Sequence, residues 1–211
     1  MTDEETARPF YLRIAQHYAS SLNFSDAERC YLKADRPELA VRMYTSANRW
    51  DEAHSVAMSY MSESEVANLY VSQARRMEAT GNLEQAEKLY LKVKEADLAI
   101  NMYKKARRYE DMVRLVSTYR KDHLKETHRH LAQQMEMEGS LKDAEHHYTQ
   151  SGEWQSAVNM YRANDMWDEA IRVAKYNGGV QASKQVAYAW AMTLGGEAGA
   201  KLLRKLGLIE Q

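Results

Sequence analysis

The sequence predicts an all-α fold: a right-handed α-solenoid of about seven short helical hairpins, filling residues 1–211 as one segment. The first observation behind this is a threefold repeat. Ala27-Glu28-x-x-Tyr31, Ala86-Glu87-x-x-Tyr90 and Ala144-Glu145-x-x-Tyr148 are each followed 13 residues later by Ala-(Val/Ile)-x-Met-Tyr, at Ala40 to Tyr44, Ala99 to Tyr103 and Ala157 to Tyr161. An aromatic-acidic-acidic block comes next: Trp50-Asp51-Glu52, Tyr109-Glu110-Asp111 and Trp167-Asp168-Glu169. The unit recurs after 59 and then 58 residues, a period that means a repeat array. The second observation is helical periodicity, with alanine and an aromatic three or four positions apart on one face. The third is composition: two prolines and nine glycines in 211 residues rarely interrupt a helix.

The expected hairpins run 7–35, 36–61, 62–94, 95–119, 121–151 and 152–177, with a seventh from Ala182 to the end. Ala15, Ala74 and Ala132 lie 12 residues before the first block of each unit and serve the opening helices. Ala86 and Ala144 are expected where two helix axes approach closely, because only a small residue fits there. Asn23-Phe-Ser-Asp26, Asn82-Leu-Glu-Gln85 and Ser140-Leu-Lys-Asp143 have the layout of a capping box. Gly81 and Gly139 precede two of these caps, where a helix must end. In the seventh hairpin Gly195-Gly196 occupies the turn, Tyr188, Trp190 and Met192 are expected to dock its first helix, and Leu202, Leu203 and Leu206 its second. No polar capping helix follows Leu208 and Ile209. This reads as a segment excised from a longer chain and predicts self-association of the fragment through that end.

Composition excludes several classes of function. A net charge of −1 gives no global attraction to nucleic acid or to an acidic membrane surface. Cys30 is the only cysteine, so neither an intrachain disulfide nor a thiolate metal cluster can form. No apolar stretch approaches the roughly 18 residues of a membrane span, and the acidic Met-Thr-Asp-Glu-Glu start is unlike a signal peptide. A cytosolic or continuous compartment is expected.

Candidate chemical sites read as architecture. His128 and His130 are two apart and point in different directions on a helix, as do the adjacent His146 and His147. With His123 they are expected to be ordinary polar residues on surface helices, although two neighbouring hairpins could in principle assemble a site from them. Asp51-Glu52, Glu110-Asp111 and Asp168-Glu169 recur at helix starts, where carboxylates favour the helix dipole, so no acid–base role is assigned. No phosphate loop, nucleophile elbow or His-Glu-x-x-His run is present. Cys30 is expected to pack beside Tyr31. Two basic clusters, Lys104, Lys105, Arg107 and Arg108, and Arg120, Lys121, Lys125 and Arg129, suit a solvated face or an acidic protein partner better than nucleic acid or lipid. No catalytic, cofactor-binding or metal-ligating residue is therefore expected.

Gly81-Asn82-Leu83-Glu84-x-Ala86-x-x-x-Tyr90, with Ala74 upstream, resembles the tetratricopeptide framework, though the hairpins average nearer 30 residues than 34. A more specific resemblance covers nearly the whole chain. Asp26 to Tyr31, Asp97 to Lys105, Ala157 to Ala163 and above all Val186 to Leu208 look like the helical middle of the largest subunits of the intraflagellar transport B complex. That family carries propellers ahead of a long helical tail. The resemblance implies a non-catalytic scaffold and protein-interaction segment supporting cilium assembly and ciliary cargo transport. Its partners would be other intraflagellar transport subunits, and its location the cilium or flagellum and its basal body, on the cytoplasmic side. The alternatives are a helical segment of a vesicle-coat subunit and, from another class, a metal-dependent enzyme.

Overall fold

The computed structural model describes residues 3–210, all of whose regular structure is helical. The chain divides after Arg108 into two compact units. The first contains α1 (Asp3–Ser20), α2 (Phe24–Lys33), α3 (Pro37–Ser46), α4 (Trp50–Tyr60), α5 (Glu63–Ala79), α6 (Leu83–Lys92) and α7 (Ala96–Lys105). The second contains α8 (Tyr109–Tyr119), a 3-10 turn (Lys121–His123), α9 (Leu124–Met137), α10 (Leu141–Gln150), α11 (Trp154–Ala163), α12 (Trp167–Leu194) and α13 (Gly196–Lys205).

In the first unit α1 packs on α2, α3 on α4 and α5 on α6, with α2–α3 and α6–α7 continuing the stack. In the second, α9 packs on α10, α10 on α11, α11 on α12 and α12 on α13. The 13-residue cadence now has a physical origin. A helix of 10 residues such as α2 is followed by the turn 34–36 before Pro37 begins α3, with proline at a first-turn position where its missing N–H costs nothing. The repeated alanines Ala15, Ala27, Ala40, Ala53, Ala74, Ala86 and Ala99 are all completely buried in the first unit, as are Ala132, Ala144, Ala157 and Ala170 in the second. They are the points of closest helix approach, where a longer side chain would separate the axes.

The repeated tyrosines have two tasks. Their rings fill the core, and their carbonyls close the turns. The N–H groups of Arg36, Arg49, Glu95, Arg108, Glu153 and Met166 donate to the carbonyls of Tyr31, Tyr44, Tyr90, Tyr103, Tyr148 and Tyr161 over 2.8–3.0 Å. Each donor follows a left-handed residue: Asp35, Asn48, Lys94, Arg107, Gly152 or Asp165. This is the Schellman closure of a helix. Gly81 and Gly139 end α5 and α9 in the same way, with φ of 84° and 82°, as the sequence leads one to expect.

The same closure overturns the predicted capping boxes. Asn23, Asn82 and Ser140 stand at the N-caps but accept no hydrogen bond with their side chains. Their N–H groups are already committed to Tyr18, Met77 and Met135, and the three-residue turn holds ψ at 71°, 67° and 71°. A side-chain cap needs the extended geometry found at Ser62, whose ψ is 159° and whose hydroxyl accepts from the Glu65 N–H at 3.2 Å.

One boundary differs from expectation. α1 begins at Asp3 rather than residue 7 and contains Pro9. α12 is broken at Gly179, whose φ of 80° and ψ of −171° are not helical, so two helical stretches meet there, where the sequence separates the sixth hairpin from the seventh. Of the three residues expected to dock the seventh hairpin, Trp190 does so by stacking on Trp167, with ring centroids 6.1 Å apart and planes within 3°. Tyr188 and Met192 point outward instead, since residues two apart on a helix face different ways. Leu202 and Leu203 are half-buried while Leu206 is exposed. At the α12–α13 turn a Cβ on Gly199 would collide with the carbonyl of Ala191, so this crossing demands glycine.

Candidate interaction surface

The acidic blocks serve as helix starts, as their repetition implies. Each supplies the first turn of α4, α8 or α12 and pairs locally: Glu52 with Arg49 at 3.0 Å, Asp111 with Arg114 at 3.3 Å and Glu169 with Arg172 at 2.7 Å. The glutamate of the first motif has a role that sequence reading missed. Tyr161 Oη donates to Glu145 at 2.7 Å across α10 and α11, and Arg172 closes on the same carboxylate. Burial, together with the carboxylate of Glu28 16 residues earlier, pushes the pKa of Tyr44 up to about 12. Tyr148 donates to Glu136 at 2.6 Å and Tyr90 to Glu78 at 3.0 Å. Tyr90, Tyr148 and Tyr161 can be buried because each of these phenols donates to a carboxylate. The constant 16-residue interval between motif glutamate and following tyrosine is the signal that could have revealed this.

Each basic cluster has one arginine tied to a carboxylate of another helix. Arg108 pairs with Glu84 at 2.8 Å and its guanidinium lies over Tyr103, itself fully buried. Arg129 reaches Glu153 at 3.5 Å, and the Tyr109 hydroxyl accepts from Gln134 at 2.8 Å. An interleaved aromatic that is buried cannot stack on a nucleobase. Cys30 is half-buried, consistent with packing.

The histidines divide between expectation and correction. His130 lies beside Glu126 at 3.4 Å and His123 beside Asp122 at 3.6 Å, both on the surface as expected. His128, however, is only 7% exposed, and its Nδ1 meets Nδ1 of the half-buried His147 at 2.9 Å across α9 and α10. One ring must donate and the other accept, so both cannot be protonated and keep this bond. Burial pushes both pKa values down, that of His147 to about 4, with the neighbouring histidines adding repulsion and Asp143 opposing it. The repeat offsets make the pair informative. Its positions correspond to Tyr11 and Cys30 in the first repeat and to Tyr70 and Leu89 in the second. Periodicity along one helix could not reveal a pair 19 residues apart, joined only when the hairpin closes. Among the described residues no group of three or more His, Cys, Asp or Glu side chains converges, and no helix is long and apolar enough to cross a membrane.

An apolar groove lies in the first unit. α4 and α5 touch sparsely, and between them and the end of α6 lies a groove of about 640 Å³. His54, Met58, Met61, Val66, Ala67 and Val93 line it, with Glu63, Lys92 and Lys94 at its margin. Met58 is 64% exposed and the adjoining Tyr60 60%. The junction differs from the Schellman turns around it: α4 ends at an extended Met61, and the Ser62 cap starts α5 on a new course.

Comparison with known proteins places these features in a family. The family described as the tetratricopeptide domain of intraflagellar transport proteins 140 and 172 matches residues 10–158. The chain is 51% identical over 210 residues to "Intraflagellar transport protein 172 homolog" of Danio rerio, covering 100% of this chain and 12% of that protein. It is 48% identical over 210 residues to "Intraflagellar transport protein 172" of Chlamydomonas reinhardtii, covering 99% of this chain and 12% of that one. "Intraflagellar transport protein osm-1" of Caenorhabditis elegans is 35% identical over 207 residues, covering 98% and 12%. The chain thus spans about an eighth of the length of these relatives.

Proposed function

Because the chain belongs to the family of the tetratricopeptide domain of intraflagellar transport proteins 140 and 172, we propose that it is a non-catalytic scaffold and protein-interaction segment of the intraflagellar transport machinery, supporting cilium assembly and ciliary cargo transport. The observation that carries this reading is the use made of the repeated residues. The motif alanines, tyrosines, glutamates and acidic helix starts all serve the core or the turns. The outward surface varies from repeat to repeat, which is how a repeat array acquires partners. Its partners are other intraflagellar transport subunits, engaged without nucleic acid or membrane insertion. It works in the cilium or flagellum and at its basal body, on the cytoplasmic side. The exposed Leu206 and Ile209 support a tendency of the isolated segment to self-associate.

The test is affinity purification with the 211-residue chain as bait in extracts of ciliated cells, followed by mass spectrometry. Intraflagellar transport subunits should be enriched over a bait carrying Ala86→Leu and Ala144→Leu, which disrupts the helical core. Enrichment of vesicle-coat subunits in their place, or equal recovery by both baits, would overturn the proposal.

A further inference from the structure

We propose that the groove between α4, α5 and the end of α6 is a docking site for one short amphipathic helix whose apolar stripe is flanked by acidic side chains. This rests on the scaffold reading and names the partner class for one surface of it. Three observations argue for it.

The first is that the apolar lining is not demanded by the repeat. Carried forward by the repeat offset, Met58, Met61 and Val93 correspond to Ser117, Arg120 and Ser151. One further repeat places Lys175 at the position of Met58 and Gly178 at that of Met61. The architecture therefore tolerates polar residues here. In the first unit apolar side chains stand in their place, and Met58 remains largely in water. Exposed methionine is well suited to a binding floor, because its unbranched thioether adapts to the side chains it meets.

The second is shape. The groove is lined by residues of α4 and α5 and by Val93, just beyond α6. An extended strand would need an unpaired sheet edge to supply main-chain hydrogen bonds, and no strand is present among the described residues. A helix satisfies its own backbone, so it needs from the groove only apolar contact at i, i+3 or i+4, and i+7.

The third is charge. Lys92 and Lys94 also line the groove, and neither has an ion-pair partner within 4.0 Å among the described residues. Lys94 corresponds to Asp35 one repeat earlier and to Gly152 one repeat later, so that cation belongs to this groove alone, while Lys92 has Lys33 as its earlier counterpart and Gln150 as its later one. Glu63, at the other helix, begins α5 and is held there by the favourable N-terminal dipole. An occupant with carboxylates beside its apolar stripe would complement the two lysines, while a basic one would be repelled by them.

The probe is a pair of fluorescent amphipathic peptides of about 14 residues with the same leucine stripe, flanked by glutamate in one and by lysine in the other. Binding to the 211-residue chain is followed by polarisation. The acidic peptide should bind at least about tenfold more tightly than the basic one, and added salt should narrow the gap. Met58→Asp should weaken the acidic peptide by at least about tenfold, whereas Lys92→Glu with Lys94→Glu should reverse the preference. These side chains reach solvent, so helical circular dichroism should be unchanged in both variants. Absence of binding, equal binding of both peptides, or insensitivity to Met58→Asp would overturn the proposal. So would concentration-dependent dimerisation abolished by Met58→Asp, which would give the groove to a second copy. Enrichment of intraflagellar transport subunits by a Met58→Asp bait, with the peptide result negative, would remove the groove and leave the scaffold reading intact.

Discussion

The α5–α6 hairpin of the first unit and the α9–α10 hairpin of the second use equivalent positions for different chemistry. In the former, Tyr70 and Leu89 lie in the core, both nearly or completely buried. In the latter the same two positions hold His128 and His147, joined nitrogen to nitrogen. The alanines at the crossings, Ala86 and Ala144, are unchanged, and so are the turn geometry and the tyrosine that closes it. Backbone architecture in this array is therefore insensitive to whether that position is apolar or a paired polar group, provided the pair is satisfied. Stability need not be insensitive, because a histidine pair answers to pH and a tyrosine–leucine contact does not.

The largest expected effect strikes both hairpins alike. Ala86→Leu and Ala144→Leu should each destabilise by roughly 1–3 kcal/mol, since neither site has room for a branched side chain. Thermal unfolding of the two variants measures it. A loss at Ala86 several times that at Ala144 would break the equivalence and mark α9–α10 as the more yielding hairpin.

The second effect separates the two. Protonation of His128 or His147 is opposed in the folded state, so their contribution is fully present above the ordinary histidine range and is lost as pH falls from about 6.5 toward about 4. Half-exposure of His147 lets solvent screen the repulsion, which leaves on the order of 1–2 kcal/mol. Installing the other hairpin's residues, His128→Tyr with His147→Leu, should flatten the melting temperature between about pH 7.5 and about pH 4.5 relative to the parent chain. An identical pH slope in both proteins would show that the pair does not sense protons.

The smallest effect concerns the turns that follow these hairpins. Lys94 and Gly152 are equivalent and both left-handed, with φ of 60° and 79°. Gly152→Ala should cost about 1 kcal/mol, because a Cβ is disfavoured in that conformation. Lys94→Gly should stabilise by less, since the relief of strain is offset by the extra freedom glycine gives the unfolded chain. Chemical denaturation resolves the two, and a destabilising Lys94→Gly would mean that the lysine side chain contributes more to the turn than its backbone conformation costs.

Much of the core could be read from the sequence because each repeated residue does its work within one helix or one turn. Alanine at a crossing and tyrosine three or four residues on are periodic signals, and the glycines at 81 and 139 announce their own conformation. The capping boxes failed for a reason confined to the turns. The same letters that satisfy a free helix start cannot do so when the backbone N–H already closes the helix before it. The groove was not legible either, since Met58 and Val93 share a surface only after α4, α5 and α6 are packed.

By itself, then, the sequence determined what is local and periodic: helix rather than strand, the 13-residue cadence, which small residues meet at crossings, and the placement of acidic helix starts. Only the tertiary structure decided which residues from separate helices meet. It brought Glu145 to Tyr161, His128 to His147 and Met58 to Val93, and it turned a surface histidine into a buried one. The physical reason is that helix formation depends on neighbours three and four apart along the chain, while a side chain's burial, protonation and partners depend on the face presented by another helix, which no single-helix period encodes.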